Sequence, residues 1–151
     1  MRLVTIIAAA LLLGAAPAAA HSDRHFSAGE PGNPAKPSRT IKVSMQEKGK
    51  QMFYVPSRVV VRKGEQIRFV LFNDGIENHE FVLATVKENL AHAAAMKKNP
   101  HMEHHDPNAV TLSPLNGSEL LWKFSKAGTF EFGCLIPGHR EAGMHGTVIV
   151  K

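Results

Sequence analysis

The sequence predicts an all-β protein, a β-sandwich of about seven strands with one helical insertion. Short segments of apolar residues recur along the chain, with turn residues between them. One alanine-rich segment has the composition of a helix instead. The chain has 151 residues, of which 44% are hydrophobic and 21% charged, so it has the size and composition of one soluble domain.

The predicted strands are segments in which apolar residues alternate with polar ones or form short β-branched runs. Turn sequences follow two of them, Lys63-Gly64-Glu65 and Asn73-Asp74-Gly75. The segments are residues 41–45, 59–61, 67–71, 80–85, 118–125, 129–134 and 147–150.

The predicted helix covers residues 86–99 and ends before Pro100, because alanine, leucine, lysine and glutamate favour a helix and proline ends one. The polar residues that follow are rich in histidine and methionine. Residues 86–108 are therefore expected to form an insertion between two strands.

The N-terminal region divides into two parts. Residues 1–20 are typical of a signal peptide, with Arg2 before an uncharged apolar run that is too short to span a bilayer and an alanine-rich end. Residues 21–39 carry three prolines and few large apolar groups, which predicts an extended or mobile leader containing His21 and His25. Residues 40–151 form the predicted domain. We therefore expect export to the periplasm, with no membrane span after cleavage.

Composition also excludes several functions. The net charge of +5 is spread along the chain without a Lys/Arg block, so we expect no nucleic-acid binding. A single cysteine excludes an internal disulfide framework and a four-cysteine zinc site. The sequence has no Ser-His-Asp order, phosphate loop or nucleotide fingerprint, and we predict that the protein is not an enzyme.

The strongest chemical signal is the order Cys134, His139, Met144, with four residues between successive members. These residues lie between two predicted strands, in a segment that Pro137 and Gly138 allow to turn sharply. A thiolate, an imidazole and a thioether form a soft ligand set that suits copper.

His79 is the natural candidate for a fourth ligand, because it begins a predicted strand directly after a loop. Two histidines and a thiolate in one plane, with a distant methionine on the axis, constitute a type 1 copper centre. Taken one at a time, these residues also fit core packing and ordinary turns. Their joint occurrence in an exported all-β chain favours copper.

On these residues the sequence resembles the cupredoxins, or small blue copper proteins, from about Thr40 to Lys151. The resemblance implies a Greek-key sandwich, one-electron cycling of copper, and His79, Cys134, His139 and Met144 as metal ligands. Many members have Asn or Ser directly after the first histidine, whereas this chain has Glu80. Hydrogen bonds around the ligands tune the colour, redox potential and geometry of such a site, so we expect Glu80 to affect these properties.

The histidine- and methionine-containing additions resemble those of periplasmic cupredoxins associated with bacterial copper tolerance. His92 and Met96 share one face of the predicted helix. A second metal region is predicted from these residues and those just beyond the helix, and a further copper site from the two leader histidines. The residues involved are His92, Met96, His101, Met102, His104 and His105 for the insertion, and His21 and His25 for the leader.

Three functions compete on this basis. The first is a periplasmic copper-handling protein that binds one type 1 copper, with additional weaker copper, and serves copper tolerance. The alternative is a soluble one-electron carrier between respiratory or other redox proteins, and either role implies copper ions and a redox or copper-transfer protein as partners. The third, an oxidase or nitrite reductase, needs further copper centres that a single domain does not supply.

Overall fold

A computed structural model describes residues 26–99 and 106–151. In these two ranges the chain forms ten strands and one helix. The elements in chain order are β1 (Glu30–Pro31), β2 (Arg39–Lys48), β3 (Gln51–Val55), β4 (Arg58–Val61), β5 (Gln66–Asn73), β6 (His79–Ala84), α1 (Val86–Lys98), β7 (Ala109–Leu112), β8 (Gly117–Lys123), β9 (Gly128–Gly133) and β10 (His145–Val150).

The strands form two five-stranded sheets, in the orders β1-β8-β5-β2-β3 and β4-β10-β9-β6-β7. Two of the strand pairs are parallel, β2 with β5 and β4 with β10. The chain changes sheet several times, although the consecutive strands β2 and β3 form a hairpin. The all-β sandwich with a helical insertion is confirmed.

The core lies between the sheets and is rich in aromatic residues. Phe81 on β6 stacks on Phe132 on β9 with ring centroids 4.9 Å apart, and Tyr54 meets Phe132 edge-on at 5.1 Å. Trp122 and Phe69 are also fully buried. The alternation of apolar residues along the strands produces this core, because successive side chains point to opposite faces of a sheet.

The N-terminal segment differs from the predicted leader over residues 26–39. β1 pairs with β8, and the Phe26 ring packs edge-on against Trp122 at 5.4 Å. The Trp122 indole N–H donates to the carbonyl of Ala28, which is fully buried. The expectation of a mobile leader is wrong for this part, because a buried tryptophan needs both the apolar contact and the hydrogen-bond acceptor. His21 and His25 lie outside the described residues.

The helix runs from Val86 to Lys98, close to the predicted bounds. Thr85 and Glu88 form a capping box, in which each side chain bonds to the backbone N–H of the other. β3 and β7 were not predicted, because the sequence around them lacks a clear alternation of apolar and polar residues. Within residues 26–99 and 106–151, no helix is long and apolar enough to cross a bilayer.

Candidate metal centre

Strand pairing brings the predicted ligands to one end of the sandwich. His79 is the first residue of β6, and Cys134 directly follows β9. These strands are antiparallel neighbours, with Val82 opposite Gly133. The start of β6 therefore lies beside the residues that follow β9.

Three ligand atoms converge at this point. The Nδ1 atoms of His79 and His139 are 3.2 Å apart, and the Sγ of Cys134 is 3.4 Å from the Nδ1 of His139. All three side chains are buried, and their ligand atoms lie within 4.8 Å of one another. In the part of the chain that the structure describes, this is the one such group of histidine, cysteine and acidic side chains.

Backbone hydrogen bonds hold the loop that carries His139 and Met144. The Cys134 N–H donates to the Met144 carbonyl at 3.0 Å, and the Met144 N–H donates to the His139 carbonyl at 3.1 Å. Gly138 adopts a φ of +94°, which a residue with a side chain rarely does. Met144 is fully buried, whereas His145 is exposed, as expected for the next residue along a strand.

Each histidine has a glutamate carboxylate on its other ring nitrogen. The Nε2 of His79 lies 2.9 Å from Oε1 of Glu47, and the Nε2 of His139 lies 3.3 Å from Oε2 of Glu77. A carboxylate accepts the ring proton and leaves Nδ1 with a lone pair. The two Nδ1 atoms, which are 3.2 Å apart, are then both available as metal ligands.

The pKa values of His139 and of Glu47, the carboxylate beside His79, are both lowered, but for different reasons. Burial and the neighbouring His79 lower the pKa of His139, so its ring is neutral near pH 7, which is the form that binds metals. Burial raises the pKa of Glu47, but hydrogen bonds from the Glu77 N–H, from His79 and from the Ile76 N–H outweigh it and hold that pKa below its ordinary value.

The cysteine environment favours a metal-bound sulfur. Burial raises the pKa of Cys134 to about 12, so without a cation the group is a neutral thiol. The Glu80 N–H donates to its sulfur at 3.3 Å. A bound cation supplies the charge that stabilises the thiolate in such a buried place.

Glu80 also links the two ligand-bearing segments. Its carboxylate accepts a hydrogen bond from the Leu135 N–H at 3.2 Å, and its carbonyl accepts one from the Tyr54 hydroxyl. The residue that departs from the family pattern thus ties the start of β6 to the residue after Cys134.

The sequence did not reveal Glu47 or Glu77 as neighbours of the histidines. Glu47 is 32 residues from His79 along the chain and reaches it only because the end of β2 lies beside the loop before β6. Glu77 is close in sequence to His79 but contacts His139. Neither position carries a local signal that could have found it.

The predicted second metal region is described only in part. Met96 is buried, and His92 is half-buried and lines a cavity of about 340 Å³ together with Asp106 and Asn89. The other members of the prediction, His101, Met102, His104 and His105, lie outside the described residues. A metal role for this region stays a prediction.

The fold and the convergent His-Cys-His group define a copper protein of the cupredoxin type. Residues 41–151 match the family of copper binding proteins described as the plastocyanin/azurin family, and the chain belongs to this family. Copper is accordingly the cofactor that the donor set fits.

Individual relatives agree with this membership. The chain is 47% identical over 139 residues to the copper-resistant cuproprotein CopI of Rubrivivax gelatinosus, covering 91% of this chain and 82% of that protein. It is 33% identical to the copper-resistant cuproprotein CopI of Pseudomonas aeruginosa, covering 97% and 94%. The solved structure of reduced auracyanin from Roseiflexus castenholzii superposes with a TM-score of 0.63 at 22% identity, covering 76% of this chain and 98% of that one, which supports the fold.

Proposed function

We propose that His79, Cys134, His139 and Met144 bind one copper ion as a type 1 centre, and that the protein serves copper tolerance in the periplasm. The observation that carries the proposal is the arrangement of the histidine rings. Both Nε2 atoms face carboxylates, while both Nδ1 atoms face each other at 3.2 Å. Two lone pairs at that distance repel each other, and a cation bound by both turns the repulsion into attraction.

The protein residues around this point supply rigidity and exclude water. Copper supplies one-electron exchange when bound, since both of its oxidation states accept imidazole and sulfur ligands. The hydrogen-bonded loop of Cys134 and Met144 limits rearrangement of the ligands. Full burial of Cys134 protects its sulfur from oxidation by solutes.

The role in copper tolerance rests on the two relatives named for copper resistance, which match most of this chain. Export through cleavage of residues 1–20 belongs to the same proposal. Mass spectrometry of the protein recovered from the periplasm tests it, since a mature chain should begin at His21. A cytoplasmic protein that retains residues 1–20 would contradict it.

One observation favours electron transfer as a second function. His139 is 7% exposed and lies next to the exposed residues Pro137 and Gly138, whereas the other three proposed ligands are fully buried. An electron can enter or leave through such a ligand, and a redox protein partner would dock on this face. The family consists usually of electron carriers rather than enzymes, and we infer the same absence of catalysis here.

Copper titration of the metal-free protein tests the site. We expect an intense thiolate-to-copper absorption band that saturates at one equivalent of copper. His139→Ala should open one copper position and alter the band, and the exposed neighbour His145 provides the matched control His145→Ala, which should leave it unchanged. Absence of the band in the natural protein would overturn the proposed centre.

The stoichiometry separates the two functions. Additional colourless copper beyond the first equivalent would support sequestration through the predicted insertion and leader residues. Binding that stops at one equivalent would favour the electron carrier.

A further inference from the structure

Glu47 has an unusual set of hydrogen bonds for a glutamate at the end of a strand. Its Oε1 atom accepts from the Nε2 of His79 at 2.9 Å and from the backbone N–H groups of Ile76 and Glu77, each at 3.0 Å. Three donors thus converge on one oxygen. The two backbone donors fix the carboxylate in place, and the third bond orients the histidine ring.

The backbone is shaped to admit this carboxylate. A Cβ atom on Gly75 would lie 2.3 Å from Oε1 of Glu47 and 3.0 Å from Nε2 of His79. Any larger residue at position 75 would therefore force the carboxylate or the ring to move. The Glu47 side chain is 14% exposed, so water competes weakly for it.

We propose that Glu47 is a positioning residue for the metal centre, which keeps the ring proton of His79 on Nε2 and directs its Nδ1 lone pair at the ligand position. This inference rests on the proposed copper function. Carboxylates that hydrogen-bond to metal-binding histidines commonly set the tautomer and ring orientation and raise the basicity of the ligand. The negative charge of Glu47 also favours the more highly charged state of a bound copper ion.

Glu77 does not duplicate this role. Its side chain is 52% exposed and lies 3.3 Å from His139. Solvent screens an exposed pair of this kind. Glu47 therefore orients its histidine firmly, whereas the exposed Glu77 orients His139 more weakly.

The tautomer of His79 can be measured without copper, by long-range proton–nitrogen correlation spectra of the metal-free protein. We expect a single tautomer with the proton on Nε2 in the natural protein and in Glu47→Gln, whose amide oxygen accepts the same bonds. Glu47→Ala should give a mixture of tautomers. Glu119→Ala is the control, since Glu119 is a half-exposed carboxylate on β8 that pairs with Arg68.

Copper binding gives the second measurement. Glu47→Ala should lower copper affinity about 10- to 100-fold, the usual effect of removing such a partner. Glu47→Gln should retain most of the affinity but raise the reduction potential, because it keeps the hydrogen bonds and loses the charge. Gly75→Ala tests the same contact without altering Glu47, and should resemble Glu47→Ala.

The outcomes separate this inference from the proposed function. If the natural protein lacks a thiolate-to-copper band, the copper centre itself is wrong. If the band is present, but Glu47→Ala and Gly75→Ala leave both the His79 tautomer and the copper affinity unchanged, the positioning role is wrong. A loss in Glu47→Ala that Glu47→Gln restores would support it, because a merely structural defect would not recover in this way.

Discussion

Residue types that bind copper occur in two regions. One is the end of the sandwich that carries His79, Cys134 and His139, called the copper end, and the other is the helical insertion. The side chains have different surroundings in the two regions. At the copper end, His79 and His139 each have a carboxylate on one ring nitrogen and face each other with the second. In the insertion, Met96 is buried and His92 lines an open cavity. Among the described residues, the ligand atoms of three histidine, cysteine or acidic side chains converge only at the copper end, so convergence in space, and not residue type, distinguishes the two regions.

The two regions are joined through Glu131 on β9. Its carboxylate accepts hydrogen bonds from Asn89 on α1 and from Arg140, next to the proposed ligand His139. The Arg140 guanidinium has its pKa raised by this hydrogen bond with Glu131. A displacement of the helix can therefore affect the position of the ligand loop, because both are hydrogen-bonded to the same buried carboxylate.

Cys134→Ser should have the largest effect, complete loss of the thiolate-to-copper band, because a serine hydroxyl does not replace a thiolate as a copper ligand. His92→Ala is the matching change in the insertion and should leave the band intact. Visible absorption after copper addition measures both variants, with circular dichroism as the test of folding. A band that survives in Cys134→Ser, or is lost in His92→Ala, would break the distinction between the regions.

The same substitution at two buried methionines sharpens the comparison. Met144→Leu and Met96→Leu conserve volume, so each should cost less than about 1.5 kcal/mol of unfolding free energy. Met144→Leu should nevertheless shift the reduction potential, because the axial ligand tunes it in type 1 centres. Met96→Leu should leave the reduction potential unchanged. Equal potentials in the two variants would argue against Met144 as a ligand.

Glu131→Gln should weaken the link between the regions. Glu131 is buried, and the variant leaves Arg140 without its ionic partner, which should cost about 1 to 3 kcal/mol of unfolding free energy. Urea unfolding of the metal-free protein measures this cost. Lys97→Gln removes the exposed pair with Glu141, which also joins the helix to the loop, and should cost less than about 1 kcal/mol. Equal costs would show that burial of Glu131 is unimportant.

The sequence predicted the features that depend on local pattern. Alternating residues such as Ile67, Phe69 and Leu71 identified β5, and Pro100 marked the end of the helix region. The order of Cys134, His139 and Met144 identified the ligand loop because those residues are neighbours in the chain.

Features that depend on contacts between distant segments escaped sequence reasoning. Glu47 acts on His79 only after β2 and the loop before β6 are placed side by side. The packing of residues 26–39 depends on Trp122, which lies far along the chain. A polar partner of this kind leaves no periodic pattern in the sequence. A single glutamate at the end of a strand looks the same in the sequence whether its carboxylate is buried against a ligand or exposed to solvent.

Glu88→Gln should have the smallest effect, and it removes a carboxylate whose charge makes the stability of the helix start dependent on pH. Burial raises the pKa of Glu88, but hydrogen bonds from Ser27 and Thr85 outweigh it and hold that pKa below its ordinary value of 4.5. A lowered pKa in the folded state means that Glu88 stabilises the protein above its ordinary pKa, and that this contribution is lost as the pH falls through the lowered value.

The natural protein should therefore exceed Glu88→Gln in unfolding free energy at pH 7, by about 0.5 kcal/mol for an exposed group. The difference should disappear once the pH lies below the lowered pKa, because the natural carboxyl is then neutral as well. Urea unfolding of both proteins across this range measures the difference. Thr85→Ala is the matched variant, since it removes the other half of the capping box and should cost about 1 kcal/mol at pH 7. This cost should fall at low pH without vanishing, because the Thr85 hydroxyl donates to the Glu88 carboxylate but also accepts from the Glu88 N–H. A difference between the natural protein and Glu88→Gln that is independent of pH would mean that side-chain shape, and not charge, supports the start of the helix.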